Sequence, residues 1–257
     1  MQPLLALLSG SVVGLALGLV GGGGSILAVP LLLYVVGIRD PHVAIGTSAL
    51  AVGVNAIVNM LGHWRRGNLK WPCAATFALS GMLGAACGST LGKHVDGGRL
   101  LFLFACVMIV IGGALLRPRA AAGDPSVRIK PAIAVRLAAI GFLTGALSGF
   151  FGIGGGFLIV PGVMLGSGMP ILNAIGSSLL SVGTFGLTTA ANYALSGLVD
   201  WRMAAYFILG GAGGGLVGVR AATRLATRRQ ALTRLFAALV FAVALYMLWR
   251  TITALRS

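Results

Sequence analysis

A run of four glycines set in apolar sequence, Gly21-Gly22-Gly23-Gly24-Ser25-Ile26-Leu27-Ala28-Val29-Pro30, constrains this chain more than any other stretch. It recurs as Gly152-Ile153-Gly154-Gly155-Gly156-Phe157-Leu158-Ile159-Val160-Pro161. Glycine costs about 1 kcal/mol relative to alanine in a helix interior, so each copy predicts a break flanked by helix. The flanks are too apolar for a soluble domain: 58% of the residues are hydrophobic, 9% are charged and the mean hydropathy is +0.99. Such values place the chain in a bilayer. Irregular backbone at that depth is tolerated only where it is buried in protein or lines a cavity.

A helical crossing takes about 20 residues, and no stretch alternates as barrel strands do. The expected fold class is therefore an all-α membrane protein. The first half gives apolar segments at about 4–20, 24–38, 43–62, 71–91 and 100–116; the second gives about 132–150, 157–166, 171–196, 201–219 and 232–253. The pair around the first glycine run is too long for one straight span and has no polar loop between its members. A tight helical hairpin or a broken helix is expected there, with Pro30 kinking or ending its second member. Met1-Gln2-Pro3 lacks a basic n-region and no clear cleavage site follows, so the first segment is expected to stay as a span.

The duplication extends beyond the glycines. Ala44-Ile45-Gly46-Thr47-Ser48 matches Ala174-Ile175-Gly176-Ser177-Ser178, Gly67 and Trp71 match Gly197 and Trp201, and Gly84 and Gly88 match Gly214 and Gly218. Residues 1–116 and 132–257 are read as two repeats of about five membrane segments each, joined by a linker at 117–131. The formal charge of +15 would suggest nucleic acid in a soluble chain, but the basic residues lie between apolar segments rather than along one face. Topology accounts for them, because positive loops stay cytoplasmic. Five crossings per half put Arg65, Arg66, Lys70, Arg117, Arg119, Arg128, Lys130, Arg136, Arg220, Arg224, Arg228, Arg229 and Arg234 on one side, and Arg39, Lys93, Arg99, Arg202, Arg250 and Arg256 on the other. Four crossings per half would divide them more evenly. An odd number makes the repeats inverted, with both termini outside and the linker in the cytoplasm. Trp64, Trp71, Trp201 and Trp249 fall at span ends, as an aromatic belt requires.

Catalytic and metal chemistry find no residues here. Glu is absent, and Asp40, Asp96, Asp124 and Asp200 each fall at a loop or span end. Cys73, Cys87 and Cys106 lack C-x-x-C spacing and read as packing residues; His42, His63 and His94 are scattered. No enzyme, metal or cofactor is expected. The second glycine motif invites comparison with phosphate-cradling loops, yet no strand precedes it and no Lys-Ser/Thr follows. What remains is a helix N-terminus after Gly23-Gly24-Ser25 and another after Gly154-Gly155-Gly156, whose free N–H groups and dipole attract anions. Thr47, Ser48 and Asn55 in the third segment, with Ser177, Ser178, Ser181, Thr184 and Thr188 in the eighth, add neutral donors. The competing reading of each hydroxyl is a helix-to-helix bond or a bond back to the i−4 carbonyl. Asn59 and Asn192 lie nearer the span ends and rank below Asn55. Glycines spaced by four, at 10, 14 and 18, at 84, 88 and 92, at 141, 145 and 149, and at 210, 214 and 218, are read as packing seams rather than sites.

The duplicated G-x-G-G-G…P motif, each copy followed by A-I-G-[TS]-S, resembles the sulfite exporter TauE/SafE family of membrane permeases over nearly the whole chain. The first copy departs from the pattern in having Gly22 where a branched apolar residue is more common. The resemblance carries over to Gly21, Gly23, Gly24, Ser25 and Pro30, to Gly152, Gly154, Gly155, Gly156 and Pro161, and to Thr47, Ser48, Ser177 and Ser178. It implies a secondary transporter of small sulfur-containing anions such as sulfite or organosulfonates, in the export direction, in the bacterial cytoplasmic (inner) membrane. An anion channel or pore, an importer of another small organic anion, and a membrane enzyme or scaffold are the alternatives. The partners expected are a small anionic substrate and the lipid bilayer, with no nucleic acid; a homo-oligomer is left open. With no carboxylate inside a span, proton coupling through a buried acid is not expected. The topology has a direct check: in a background lacking Cys73, Cys87 and Cys106, Ser126→Cys should stay unlabelled by an impermeant thiol reagent added outside intact cells. Labelling would reverse the orientation.

Overall fold

The computed structural model describes residues 1–116, 129–152, 156–224, 238, 240–250 and 253, and among them the regular structure is helical throughout. Helix α1 (Gln2–Val20) passes without a loop into a 3-10 stretch, Gly21–Leu27. That stretch leads into the short apolar helix α2 (Gly24–Val36). There follow α3 (Pro41–Trp64), α4 (Trp71–His94), α5 (Gly97–Leu116), α6 (Pro131–Phe151), α7 (Gly156–Ser167), α8 (Ile171–Ala194), α9 (Trp201–Arg224) and α10 (Val240–Arg250). Six of these, α1, α3, α4, α6, α8 and α9, are long and apolar enough to cross a membrane. The apolar parts of the other four are shorter among the described residues.

The two glycine motifs turn the chain differently. At the first, the expected break is a change of winding: glycine, lacking Cβ, accepts the tighter 3-10 turn, and longer runs of it are uncommon enough to mark a special site. The chain then doubles back. Gly24 is pressed against Ala16 and Leu17 of α1, and a Cβ on Gly37 would lie 4.0 Å from the Gln2 side-chain nitrogen. Pro30 does not end α2; its missing N–H falls where the winding loosens from α (Ala28–Pro30) to π (Leu31–Val36), and the helix stops at Gly37, whose φ is +85°. At the second motif α6 ends outright at Gly152, with φ +65° and its N–H on the carbonyl of Gly149 at 3.2 Å. Gly154 and Gly155 lie outside the described residues.

Helix directions follow from which backbones meet at the glycines. Along α1 and α9, Cβ atoms on Gly10, Gly14 and Gly18 would run into the backbone of Phe207, Gly211 and Gly215, so the two helices are parallel. The same holds for α4 and α6, where Gly141, Gly145 and Gly149 abut Phe77, Gly81 and Ala85. Asn55 and Asn59 of α3 lie against Gly211 and Gly215 of α9, again in parallel. By contrast α3 and α8 run antiparallel: Gly46 meets Tyr193, Gly53 meets Gly183 and Gly186, and Gly176 meets Asn68. One end of the molecule therefore holds the starts of α1, α3 and α9. There Asp40 accepts from the His42 N–H at 2.7 Å, Asp96 from the Arg99 N–H at 3.1 Å and Asp200 from the Met203 N–H at 3.0 Å. Each carboxylate caps a helix N-terminus.

The outer face suits lipid. Leu79, Leu83, Val110, Leu165 and Leu209 are exposed, while Phe77, Phe104, Phe185 and Phe207 are buried inside. Trp64 and Trp71 stack edge to face at 5.8 Å at one end, and Trp201 and Trp249 stand exposed at the other. The seams make an immediate prediction. Gly14→Leu puts a side chain where the Gly211 carbonyl lies and should cost about 1–3 kcal/mol or more. Gly213→Leu meets nothing within 4 Å and should leave stability unchanged. Thermal unfolding in detergent separates them, and equal melting temperatures would refute the seam.

Candidate functional site

The point where α3 crosses α8 lies between repeat-equivalent residues. A Cβ on Gly53 would sit 3.0 Å from the Leu187 nitrogen and 3.2 Å from the Gly183 carbonyl, so glycine is what lets the two helices touch here. Just beyond this contact along α3, Asn55 is fully buried, and neither its amide nitrogen nor its oxygen has a hydrogen-bond partner. Its side chain lies against Gly211 of α9. Just before Gly183 on α8, the Ser181 hydroxyl is also fully buried and unpartnered. So is Ser148, a turn before Gly152 on α6. A buried polar group without a partner costs about 1–3 kcal/mol, so these three are where a ligand's acceptors would be welcomed.

Other hydroxyls in the expected cluster hold the frame. Thr47 Oγ1 accepts from the Asp200 N–H at 2.9 Å, and its repeat equivalent Ser177 Oγ accepts from the Lys70 N–H at 3.1 Å. Each ties a helix of one half to the turn entering a helix of the other. Ser48 Oγ donates to the Ile45 carbonyl at 2.8 Å and reaches the Gly152 carbonyl at 3.2 Å, which fastens α3 to the end of α6. Ser178 bonds back to Ile175, Thr184 to Ser181 and Thr188 to Thr184. Ser25 and Gly24 are buried beside α1, Gly23 lies within the 3-10 stretch, and Gly156 opens α7. The segments carrying the two motifs, Gly21–Leu27 and α7, pack on each other. Thus Gly24, Ser25 and Gly156 come to the interior with Asn55 and Ser181, while Thr47 and Ser177 serve as clasps.

Sequence reading passed over Ser148 and Thr189, both buried with unpartnered hydroxyls. Ser148 shares α6 with the glycines at 141, 145 and 149, a polar residue beside a seam, and that was the available signal. No group of three or more His, Cys, Asp or Glu is placed to hold a metal among the described residues. Cys73 is buried, Cys106 half-buried and Cys87 exposed, all as free thiols.

With this arrangement in view, comparison with known proteins is informative. A probable membrane transporter protein of Xylella fastidiosa (strain 9a5c) is 53% identical over 244 residues, covering 95% of this chain and 94% of its own. The probable membrane transporter protein YunE of Bacillus subtilis is 26% identical over 243 residues, covering 85% and 88%. A probable membrane transporter protein of Haemophilus influenzae is 30% identical over 201 residues, covering 76% and 74%. No solved structure matches. Residues 6–247 match the sequence model described as Sulfite exporter TauE/SafE. A match of that extent, with relatives aligned over almost their full length, means that this chain belongs to the sulfite exporter TauE/SafE family of membrane transporters.

Proposed function

We propose that this chain is a secondary transporter that carries small sulfur-containing anions, such as sulfite or organosulfonates, outward across the bacterial cytoplasmic membrane. The observation that carries the reading is the pair of buried, uncharged and unpartnered groups Asn55 and Ser181 that flank the crossing of α3 with α8, with Ser148 a third such group near the end of α6. Neutral donors suit an anion that must leave again, since a buried cation would hold it too firmly. The start of α7, which follows the second glycine motif and is opened by Gly156, supplies further N–H groups and roughly half a positive charge.

Residues 1–116 and 132–257 serve as inverted repeats, joined by a cytoplasmic linker at 117–131. Support comes from the antiparallel pairing of the equivalent helices α3 and α8, and from the reciprocity by which α1 takes α9 while α6 takes α4. That is the pattern a two-fold axis lying in the membrane plane produces. Two parallel groups result, α1–α3–α9 and α6–α4–α8, meeting at the Gly53–Gly183 contact. Rocking one group against the other opens the centre to alternate sides.

The energetics need no proton. The described carboxylates Asp40, Asp96 and Asp200 all cap helices at one end, and the chain has no Glu. An anion leaving an inside-negative cell gains about 2.3 kcal/mol per charge at roughly 100 mV, equivalent to about a 50-fold gradient. Electrogenic uniport is the mode. In proteoliposomes, sulfite flux should respond to a potassium-diffusion potential; flux that ignores voltage but follows an imposed pH gradient would overturn uniport and direct attention to His42, His63 and His94.

A second measurement tests the site. Asn55→Leu removes an unpartnered polar group of similar size, so the melting temperature should hold or rise while sulfite flux falls by about tenfold or more. A lower melting temperature with native flux would make Asn55 a purely structural residue.

A further inference from the structure

At the end where α1, α3 and α9 finish, a cavity of about 370 Å³ opens between α3 and α9. Its walls include Asn59, Gly62, Arg65, Arg66, Val219 and Arg220. Arg66 Nη1 donates to the Val219 carbonyl at 3.0 Å, which uses one of the five N–H donors of its guanidinium. Asn59 Nδ2 donates to the Asn55 carbonyl at 3.0 Å, so one wall of the cavity adjoins the buried centre. No carboxylate lines it, and the three described carboxylates all stand at the opposite end of the molecule.

The internal duplication supplies a control for this cavity. In the alignment that pairs Gly46 with Gly176, the positions Gly62, Arg66, Val219 and Arg220 correspond to Asn192, Ser196, Ser89 and Thr90. There the protein fills its own space. Asn192 Nδ2 donates to Ser89 Oγ at 2.6 Å and Thr90 Oγ1 at 2.9 Å, and Lys93 Nζ donates to Asn192 Oδ1 at 2.8 Å and Ser196 Oγ at 2.9 Å. The cavity is thus no packing fault shared by both halves. It exists where Gly62 withholds a side chain and arginines replace short hydroxyl residues. A Cβ on Gly62 would meet only the Val219 methyls, at 3.5 and 3.9 Å, so a larger residue can enter without displacing backbone.

We propose that this cavity is an oxyanion-binding vestibule, a site separate from the central one, which holds a compact sulfur or phosphorus oxyanion against Arg65, Arg66, Arg220 and the Asn59 amide. Guanidinium groups match such oxygens in pairs, whereas at the equivalent place in the other half Lys93 already bonds to Asn192 and Ser196. The oxyanion comes from one of two sources: a free substrate anion on its way to Asn55, or the phosphate of an anionic lipid, since the neighbouring Trp64–Trp71 pair marks headgroup level. The free-anion arm rests on the transport function proposed above.

The test uses delipidated full-length protein in detergent, titrated with sulfite and with inorganic phosphate, for the native chain, Gly62→Asn and Arg66→Gln. Sulfite flux in proteoliposomes and phosphatidylglycerol adducts in native mass spectrometry are measured on the same three proteins. With the central site disabled by Asn55→Leu in all three titrated proteins, saturable thermal stabilisation by sulfite is expected where Gly62 and Arg66 are intact, weakened about tenfold or more in both variants. The ligand-free melting temperatures of the variants should stay within about 2 °C of native, a small shift for a chain of this size. Phosphatidylglycerol adducts that both variants lose, with sulfite binding unaltered, assign the vestibule to a lipid headgroup. Native-like binding of sulfite, phosphate and lipid by both variants overturns it, even if the native chain transports sulfite. Absent sulfite flux in the native chain, with variant-sensitive phosphate or lipid binding, overturns the proposed sulfite transport and leaves the oxyanion site standing.

Discussion

The structure depends on backbone touching backbone along two glycine seams. In a bilayer no hydrophobic force drives helix to helix, because lipid tails are as apolar as leucine; association has to come from van der Waals contact and weak Cα–H···O bonds at short range. Gly14 against Gly211 and Gly145 against Gly81 provide that range, and they are equivalent positions in the two repeats. Both seams join one half of the chain to the other, as does the α3–α8 contact. The duplicated halves are consequently not two domains side by side. Each parallel group takes α1 and α3, or α6 and α8, from one half and the remaining helix from the other. A half expressed alone would expose every seam it owns.

Much of this was legible because a bilayer narrows the choices. Among the described residues the ten apolar segments are met by ten helices, with the glycine-following members short in both halves, since length and hydropathy are what the membrane itself reads. The resemblance drawn from the paired motifs is matched by the family assignment over residues 6–247. The winding at the first motif was not legible, because a glycine run shows that an α-helix is expensive without saying whether the chain will stop, as at Gly152, or tighten, as over Gly21–Leu27. Hydroxyl roles were harder still. Thr47 and Ser177 look like their neighbours Ser48 and Ser178, yet they bond to backbone at Asp200 and Lys70, far away in sequence, and a local pattern carries no trace of such a partner. Asn59 ranked low for lying near a span end, and that position is what puts it on the wall of the basic cavity.

Where the halves agree and where they differ follows a division. Around the crossing, Gly53 answers Gly183 and Thr47 answers Ser177, and hydrogen bonds recur in matching places. At the ends the correspondence lapses: Gly62 stands opposite Asn192, Arg66 opposite Ser196 and Arg220 opposite Thr90. A strict two-fold would make the two openings equal, and a carrier built that way would have no intrinsic difference between its faces. The departures are nearly all in charge and volume, quantities that alter how readily an anion arrives without altering the geometry of the centre. The carboxylates reinforce the bias, because each one capping a helix start at one end adds negative charge on the face opposite the arginines. Equilibrium transport is set by the gradient and the voltage, so such a bias cannot make the carrier one-way; it changes the concentration at which each face saturates. Under the proposed orientation the face that carries the arginine-lined cavity is the cytoplasmic one. The residues at the crossing are thus common to both halves, whereas the charge at the two ends is set separately by the terminal turns of α3 and α9.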